Sequence, residues 1–356
     1  MNAILVGYGL AGQVFHAQLL RAAGFQIAAI VVNNAERRAQ AAIDHPAAQL
    51  CANLTQALEQ STAPLVVLAS PTDTHAPLAI EALHAGRHVV VDKPVALSQT
   101  ELQSMINAAT AADKHLIPFQ NRRWDADFLT LKDLIAHNKL GEIVKYEARF
   151  DRFNPTVKNR WREQNLLGSG MLYDLGPHLI DQAVHLFGAP DWVFCTLLTQ
   201  RVGAQINDGF ELIMGKNNSD YPYISLGASQ FSAAADQPHG APRFKVQGRK
   251  ATWLKSGFDP QEAALRQGII PNNIAWLSED NAARGRLIDG DTGLDSLTDA
   301  GIGEWPWFYH AVKNAIEFNQ PAPVLASEAL VTCAAIDAAL VSAQTGSRQN
   351  LQALLR

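Results

Sequence analysis

Cysteine is scarce: three residues in 356, Cys51, Cys195 and Cys333, lie far apart and in no CxxC or Cys/His cluster. That excludes a disulfide framework, gives no zinc site and points to a reducing compartment. Basic residues are in deficit, with 29 Lys and Arg against 34 Asp and Glu, a net charge of -5 and a pI near 6.1. No stretch crowds the cations into a stripe, so a nucleic-acid partner is not expected. Also missing is any uninterrupted apolar run near the ~18 residues that a membrane span requires. The opening MNAILVGYG shows no basic n-region or cleavage site. The expectation is a cytoplasmic protein with no membrane partner. Repeats, heptad runs and low-complexity tails are absent too, while 47% hydrophobic residues are ample for two buried cores.

What is present begins at once. Ala3 to Val6 is apolar and runs into Gly7-Tyr8-Gly9-Leu10-Ala11-Gly12, followed by a helical pattern through Phe15, Leu19 and Leu20 and a second apolar run at Ile27 to Val32. GxGxxG alone is a weak signal, but between a strand and a helix it reads as a dinucleotide turn. Gly7 allows the tight turn, Gly9 the approach of backbone to a pyrophosphate, and Gly12 the packing of helix on strand. Leu10 and Ala11 then stand at the helix N-terminus, where free N–H groups and the dipole favour an anion. An acidic residue about 20 positions on holds the ribose hydroxyls in NAD binders. Here that place is Asn33-Asn34, followed by Glu36, Arg37 and Arg38. Neutral amides repel no 2'-phosphate and the arginines start a helix within reach of one, so NADP is favoured, with NAD possible. A merely solvated helix face is the alternative for Arg37 and Arg38.

Strand and helix patterns alternate from there to Leu116–Phe119, which predicts a doubly wound α/β domain with a parallel sheet over 1–119. Ligands bind at the carboxyl ends of such strands. Ser70-Pro71-Thr72-Asp73-Thr74-His75 is a polar turn at one such end, suited to lining the cofactor through Ser70, Pro71, Thr72 and His75, although turn chemistry alone explains it. Asp92-Lys93-Pro94 ends another strand and delivers a lysine.

After Phe119 the character changes, and residues 120–356 read as an α+β domain for substrate binding and oligomerisation. Strand-like runs at Ile143–Phe153, Trp192–Arg201, Gly209–Met214, Ile224–Phe231, Arg243–Gln247 and Ala251–Leu254 predict a large, mostly antiparallel open sheet with helices on one face. Gly268 to Gly303 should be loops with an edge hairpin near Asp289-Gly290, and Trp305–Phe318 and Ser327–Gln344 should be helices. A bare apolar sheet face would need a partner, so a homodimer or tetramer is expected.

Within that half, GSGMLYDLGPHLID (Gly168 to Asp181) carries Asp174 and His178 four residues apart, hence on one helix face. A carboxylate beside an imidazole suits acid/base chemistry. Pro177 predicts that the helix begins near Asp174 or bends there. An ordinary amphipathic helix with an N-cap aspartate explains the same residues.

Taken together, GYGLAG, HVVVDKP and GSGMLYDLGPHLID resemble the Gfo/Idh/MocA family of nicotinamide-dependent sugar and polyol oxidoreductases over nearly the whole chain. The strings at Asn121–Lys132 (NRRWDADFLTLK), Phe150–Pro155 (FDRFNP) and Arg160–Glu163 (RWRE) resemble its NADP-dependent scyllo-inositol dehydrogenase branch. The resemblance implies a CH–OH dehydrogenase in which Lys93, Asp174 and His178 serve the substrate. Oxidising a secondary alcohol needs a base, which we assign to His178, and a cation for the alkoxide, which we assign to Lys93, with Asp174 positioning the hydroxyl or the lysine. No metal is implied. Asp92 and Lys93 fall at the cofactor, and Asn121, Trp161 and Arg162 near its nicotinamide end. Polyol hydroxyls would be met by Lys93, Asn121, Arg122, Tyr173, Asp174, His178 and Tyr309. Arg122, Arg123 and Arg152 would alternatively clamp a sugar acid. Asp92 stands where many members have glutamate. The rival readings are an aldose or keto-sugar enzyme of the same family and a dinucleotide-sensing regulator.

Overall fold

LVVL (Leu65–Leu68) and HVVV (His88–Val91) show no alternation of apolar and polar residues, as strands covered on both faces require. In the computed structural model, which describes residues 1–158, 163–217, 220–236, 240–280 and 283–351, both are buried strands of a parallel sheet. That sheet comprises β1 (Asn2–Val6), β2 (Gln26–Val31), β3 (Gln49–Cys51), β4 (Leu65–Leu68), β5 (His88–Val91) and β6 (Leu116–Pro118) in the order β3-β2-β1-β4-β5-β6. The order reverses between β1 and β4, which opens a crevice at their carboxyl ends. Around it run a π-helix (Ala11–His16) continuing into α1 (Ala17–Ala22), then α2 (Ala35–Asp44), α3 (Leu54–Gln60), α4 (His75–His84) and α5 (Gln99–Ala112).

The chain does not divide by a single cut at 119. Two compact units form, the first taking Met1–Trp124, Pro260–Trp276 and Glu304–Leu330, the second the remainder. Late segments join the first unit because their apolar side chains pack there. Tyr309 meets Phe25 and Phe119, and Trp305 meets Phe15.

The second unit holds α6 (Ala126–Ala136), α7 (Met171–Phe187) and the strands β7 (Ile143–Asp151), β8 (Trp192–Leu198), β9 (Gly209–Gly215), β10 (Tyr223–Ser229), β11 (Pro242–Gly248) and β12 (Ala251–Ser256). Beyond α8 (Gln261–Arg266) come β13 (Leu277–Ser278), β14 (Arg286–Asp289), β15 (Asp295–Leu297) and β16 (Ile302–Gly303), then α9 (Trp305–Phe318), α10 (Ala326–Thr345) and β17 (Gln349–Asn350). A nine-stranded sheet runs β15-β14-β12-β11-β7-β10-β9-β8-β17, antiparallel except where β10 pairs with β7. The expected fold class therefore holds in both units. The hairpin near Asp289-Gly290 is β14–β15.

One face of this sheet, with Tyr146, Ala148, Phe150, Leu212 and Leu226, is buried, and α7 packs on β10, β9 and β7. The opposite face is not the bare apolar surface expected. Arg149 bridges Asp151 (2.9 Å) and Glu211 (2.8 Å), and Lys145 pairs with Glu147 (3.0 Å). Apolar groups gather at one end, where Trp192, Phe194, Ile213 and Tyr223 line a recess of about 470 Å³. By length and composition α10 could cross a membrane. Its run of Ala334, Ala335, Ala338 and Ala339 is instead buried, and Ser342 accepts a hydrogen bond from the Cys195 N–H (2.9 Å).

At the start of β5, His88 Nδ1 accepts the His115 N–H (3.1 Å), so protonation there must break the bond. Burial first, then the charges of His115 and Lys114, hold His88 down to about 4. The folded state therefore binds fewer protons than the unfolded one between the ordinary histidine value near 6.5 and 4. This contribution to stability is whole above pH ~6.5 and is lost as pH falls toward 4. Thermal unfolding followed by circular dichroism at pH 7.5 and 4.5 should show a smaller drop for His88→Gln than for the parent chain.

Candidate functional site

In the first unit the glycine turn separates two kinds of constraint. A Cβ on Gly7 (φ +94°) would meet the Ala69 carbonyl at 2.6 Å, and one on Gly12 would meet the Gly7 carbonyl at 2.1 Å. Both glycines serve internal packing. Gly9 differs, since within 4 Å its Cβ would find only the Arg37 guanidinium, Nη1 at 3.5 Å. Leu10 precedes the helix with no side-chain cap, and is half exposed. A backbone open at Gly9 and an uncapped helix start fit a dinucleotide pyrophosphate.

The two arginines part company here. Arg38 donates to the carbonyls of Val32 (3.3 Å) and Leu50 (2.8 Å), tying α2 to the ends of β2 and β3. Arg37 is exposed and lies beside Gly9. Asn34 Oδ1 caps α2 by accepting the Arg37 N–H (2.9 Å), while Asn33 is exposed. Arg38 is thus a structural tie, and Arg37 is the cation at the turn.

After β4, Ser70 and Thr74 hydroxyls pair at 2.6 Å and Thr72 is buried, with Pro71 exposed between. His75 lies between the carbonyls of Pro94 (Nδ1, 2.8 Å) and Ser70 (Nε2, 3.0 Å). Burial pushes its pKa below the ordinary value, and a neutral ring donates to only one of the two. His75 thus braces the Asp92-Lys93-Pro94 segment against the Ser70 turn. Asp92 accepts the Lys93 N–H (2.8 Å). Burial raises the Asp92 carboxyl, but His16, Lys93 and His75 outweigh that and hold it below the usual range.

Asn121 to Trp124 form a 3-10 turn with all four side chains buried. Arg122 pairs with Glu262 (2.6 Å) and stacks over Trp305, and Arg123 pairs with Glu328 (3.1 Å). Two of the three arginines suggested as a sugar-acid clamp are therefore committed to carboxylates of their own unit. Tyr309, expected at the substrate, lies in the core with no exposed surface, its hydroxyl 2.6 Å from His16 Nδ1. The apolar pattern of α9 buries it beside Phe25, Phe119 and Phe308.

In the second unit, of the two expectations for α7, a start near Asp174 or a bend there, the start is not met: the helix begins three residues earlier, at Met171. Asn207 Oδ1 accepts the N–H groups of Met171 (2.8 Å) and Leu172 (3.2 Å), a cap contributed from a distant loop. Pro177 consequently lies inside the helix. Asp174 is partly exposed, Tyr173 and His178 are buried, and the His178 ring stands edge-on to Phe150 at 6.4 Å. Trp161 and Arg162, with the rest of RWRE up to Arg160, lie outside the described residues. Arg152 stacks on Phe258 at 5.9 Å. Among the described residues no group of three or more His, Cys, Asp or Glu could hold a metal ion.

A doubly wound sheet with a glycine turn open at its middle glycine is the architecture of a dinucleotide-binding domain. The family models concur: "Oxidoreductase family, NAD-binding Rossmann fold" matches residues 1–119 and "GFO/IDH/MocA C-terminal domain" matches 128–254. The chain belongs to the GFO/IDH/MocA oxidoreductase family. It is 35% identical to the uncharacterized oxidoreductase YdgJ of Escherichia coli, over 96% of this chain and 95% of that one. It is 32% identical to the scyllo-inositol 2-dehydrogenase (NADP(+)) IolW of Bacillus subtilis, over 96% and 93%. The solved structure of yvaA from Bacillus subtilis is similar with a TM-score of 0.91 at 30% identity, covering 98% of this chain and 97% of that one.

Residues outside the predicted site hold α7 in place. At the edge of β11 the register slips between Pro242 and Phe244, a bulge that leaves Arg243 as the extra residue. Bulges re-aim side chains, and here the guanidinium turns inward between Phe150 (3.9 Å) and Phe244 (4.0 Å). It donates to Gln182 Oε1 (2.7 Å), one turn beyond His178, and lies 3.7 Å from the buried Asp127 carboxylate. Gln182 was legible as the next position on the Asp174–His178 face. The inward turn of Arg243 was not, because strand alternation puts its neighbour Phe244 inside. Removing one partner of a buried pair costs about 3–5 kcal/mol. Urea unfolding of Arg243→Ala should show a loss of that size, and a loss below ~1 kcal/mol would contradict the pairing.

Proposed function

We propose that the protein is a cytoplasmic, NADP-dependent dehydrogenase that interconverts a secondary alcohol and ketone of a cyclic polyol, scyllo-inositol and its 2-keto form. The observation that carries the cofactor part is Arg37, a guanidinium beside Gly9 at the end of a strand with no acid. The polyol part is supported by the likeness to IolW. Support for a sugar in place of the polyol is thinner, a 32% likeness to a levoglucosan dehydrogenase over 38% of the chain.

When bound, the nicotinamide accepts or returns hydride. The chain supplies the rest. Gly9 and the uncapped helix start receive the pyrophosphate, and Arg37 the 2'-phosphate. In this reading Lys93 holds the substrate oxygen and stabilises its charge as the proton leaves, which a cation does well away from water. His178 takes the hydroxyl proton, since imidazole titrates near neutral pH. Asp174 orients the hydroxyl. Asn121 and Tyr173 are the further polyol donors and acceptors we retain, in a site that rejects analogues lacking a hydroxyl.

The ratio of kcat/KM with NADP+ to that with NAD+ should fall roughly tenfold or more in Arg37→Ala, the worth of one charge-assisted phosphate contact. Arg38→Ala should move it far less. An enzyme that prefers NAD+ before any substitution sinks the cofactor reading. Lys93→Ala and His178→Ala should each lower kcat by at least roughly a hundredfold, with the double variant falling little further, as for groups that act as a unit. The substrate is decided by comparing scyllo-inositol, myo-inositol, glucose and levoglucosan under one condition. Turnover of an aldose without scyllo-inositol turnover keeps the enzyme and discards the polyol.

A further inference from the structure

The first unit contains a buried chain of polar groups whose inner members, His16 and Tyr309, take no part in the cofactor and substrate contacts proposed above. His16 has no exposed surface. Its Nδ1 is 2.6 Å from the Tyr309 hydroxyl and its Nε2 is 3.8 Å from Asp92 Oδ1, the carboxylate that also accepts the Lys93 N–H. Phe119 lies against the imidazole at 4.3 Å and contacts Tyr309 as well. Burial lifts the phenol far above its ordinary value, so Tyr309 keeps its proton, and its hydroxyl shares a hydrogen bond with Nδ1. Nε2 faces the Asp92 carboxylate at 3.8 Å, an electrostatic contact longer than a hydrogen bond.

Two features suggest more than packing. His16 ends a π-helical stretch, Ala11–His16, in which the Ala17 N–H reaches back five residues to the Gly12 carbonyl. Such i→i+5 turns are rare and concentrate at functional sites. Its effect is to set where His16 falls relative to the glycine turn at the helix start. The chain also ends on the residue immediately before Lys93. The charged and titratable groups facing Asp92 are His16 from the π-helix, His75 from the start of α4, Lys93 from its own segment and Tyr309 from α9.

We propose that Tyr309 and His16 form a positioning relay that fixes the Asp92 carboxylate and, through its bond to the Lys93 N–H, the placement of the Lys93 ammonium. The inference rests on the catalytic role of Lys93 given above. Tyr309 and His16 touch neither substrate nor cofactor in this scheme. They act through Asp92.

Tyr309→Phe deletes a single oxygen and leaves a ring suited to its aromatic neighbours. The full chain is assayed with NADP+ and the polyol or sugar that turns over best, and rates are normalised to NADPH-binding sites titrated by fluorescence. Tyr309→Phe should lower kcat roughly tenfold, the scale of one lost buried hydrogen bond, while KM for the substrate and Kd for NADPH stay within about twofold. His16→Asn, too short to bridge, should lower kcat at least as much, and the double variant should add little. In an Asp92→Asn background, which keeps an oxygen for the Lys93 N–H but removes the carboxylate charge that His16 faces, Tyr309→Phe should lose its effect. A merely structural role predicts the opposite pattern: a lower unfolding midpoint, unchanged kcat per binding site, and the same increment in the Asp92→Asn background. That pattern overturns the relay. Lys93→Ala separates the two levels: if it loses turnover while Tyr309→Phe and His16→Asn do not, the relay fails and the catalytic reading stands. If Lys93→Ala keeps full turnover, the catalytic reading fails and the relay with it.

Discussion

The approach of the Gly12 Cα to the Gly7 carbonyl is the constraint on which the first unit depends. A methyl group at Gly12 would lie 2.1 Å from that oxygen, far inside non-bonded contact for a Cβ, so the helix can sit this near β1 only without a side chain there. From that closeness follow the uncapped N–H groups at the helix start, the open backbone at Gly9, and the placement of His16 against Phe119 and Tyr309. One steric condition thus serves both the cofactor cradle and the buried polar chain behind Lys93.

The second unit has a different organising device. Its sheet alternates inward and outward side chains, and alternation by itself would bury only Phe244, Val246 and their like on β11. The bulge at Arg243 breaks the alternation once, and that single slip brings a guanidinium under α7, where it meets Gln182 and Asp127. A charge buried between two rings is expensive to place and expensive to remove. The helix bearing Asp174 and His178 is also pinned at its start by Asn207, so it is held at two points by residues remote in sequence.

Cation placement separates groups that composition treats alike. Arg37 and Arg38 are adjacent, yet one lies at the glycine turn and the other binds the carbonyls of Val32 and Leu50. Arg122 and Arg123 are equally adjacent, and both pair with carboxylates of the first unit. Helical geometry rotates successive side chains by roughly 100°, so neighbours in sequence meet different surroundings.

The parallel sheet, the glycine turn, the strands of the second sheet and the Asp174–His178 face were determined by the sequence alone, because each rests on short-range signals: unbroken apolar runs, glycine spacing, alternation and an i, i+4 interval. The absence of an acid after β2 belongs with them. Tertiary structure alone decided the rest. It moved Pro260–Trp276 and Glu304–Leu330 into the first unit, buried Tyr309 on His16, began α7 at Met171 by means of a cap at Asn207, and turned Arg243 inward. The side-chain contacts behind the last three join residues from 35 to 293 positions apart. No local propensity encodes such pairings, since they arise only when packing decides which polar groups lose water and must find one another.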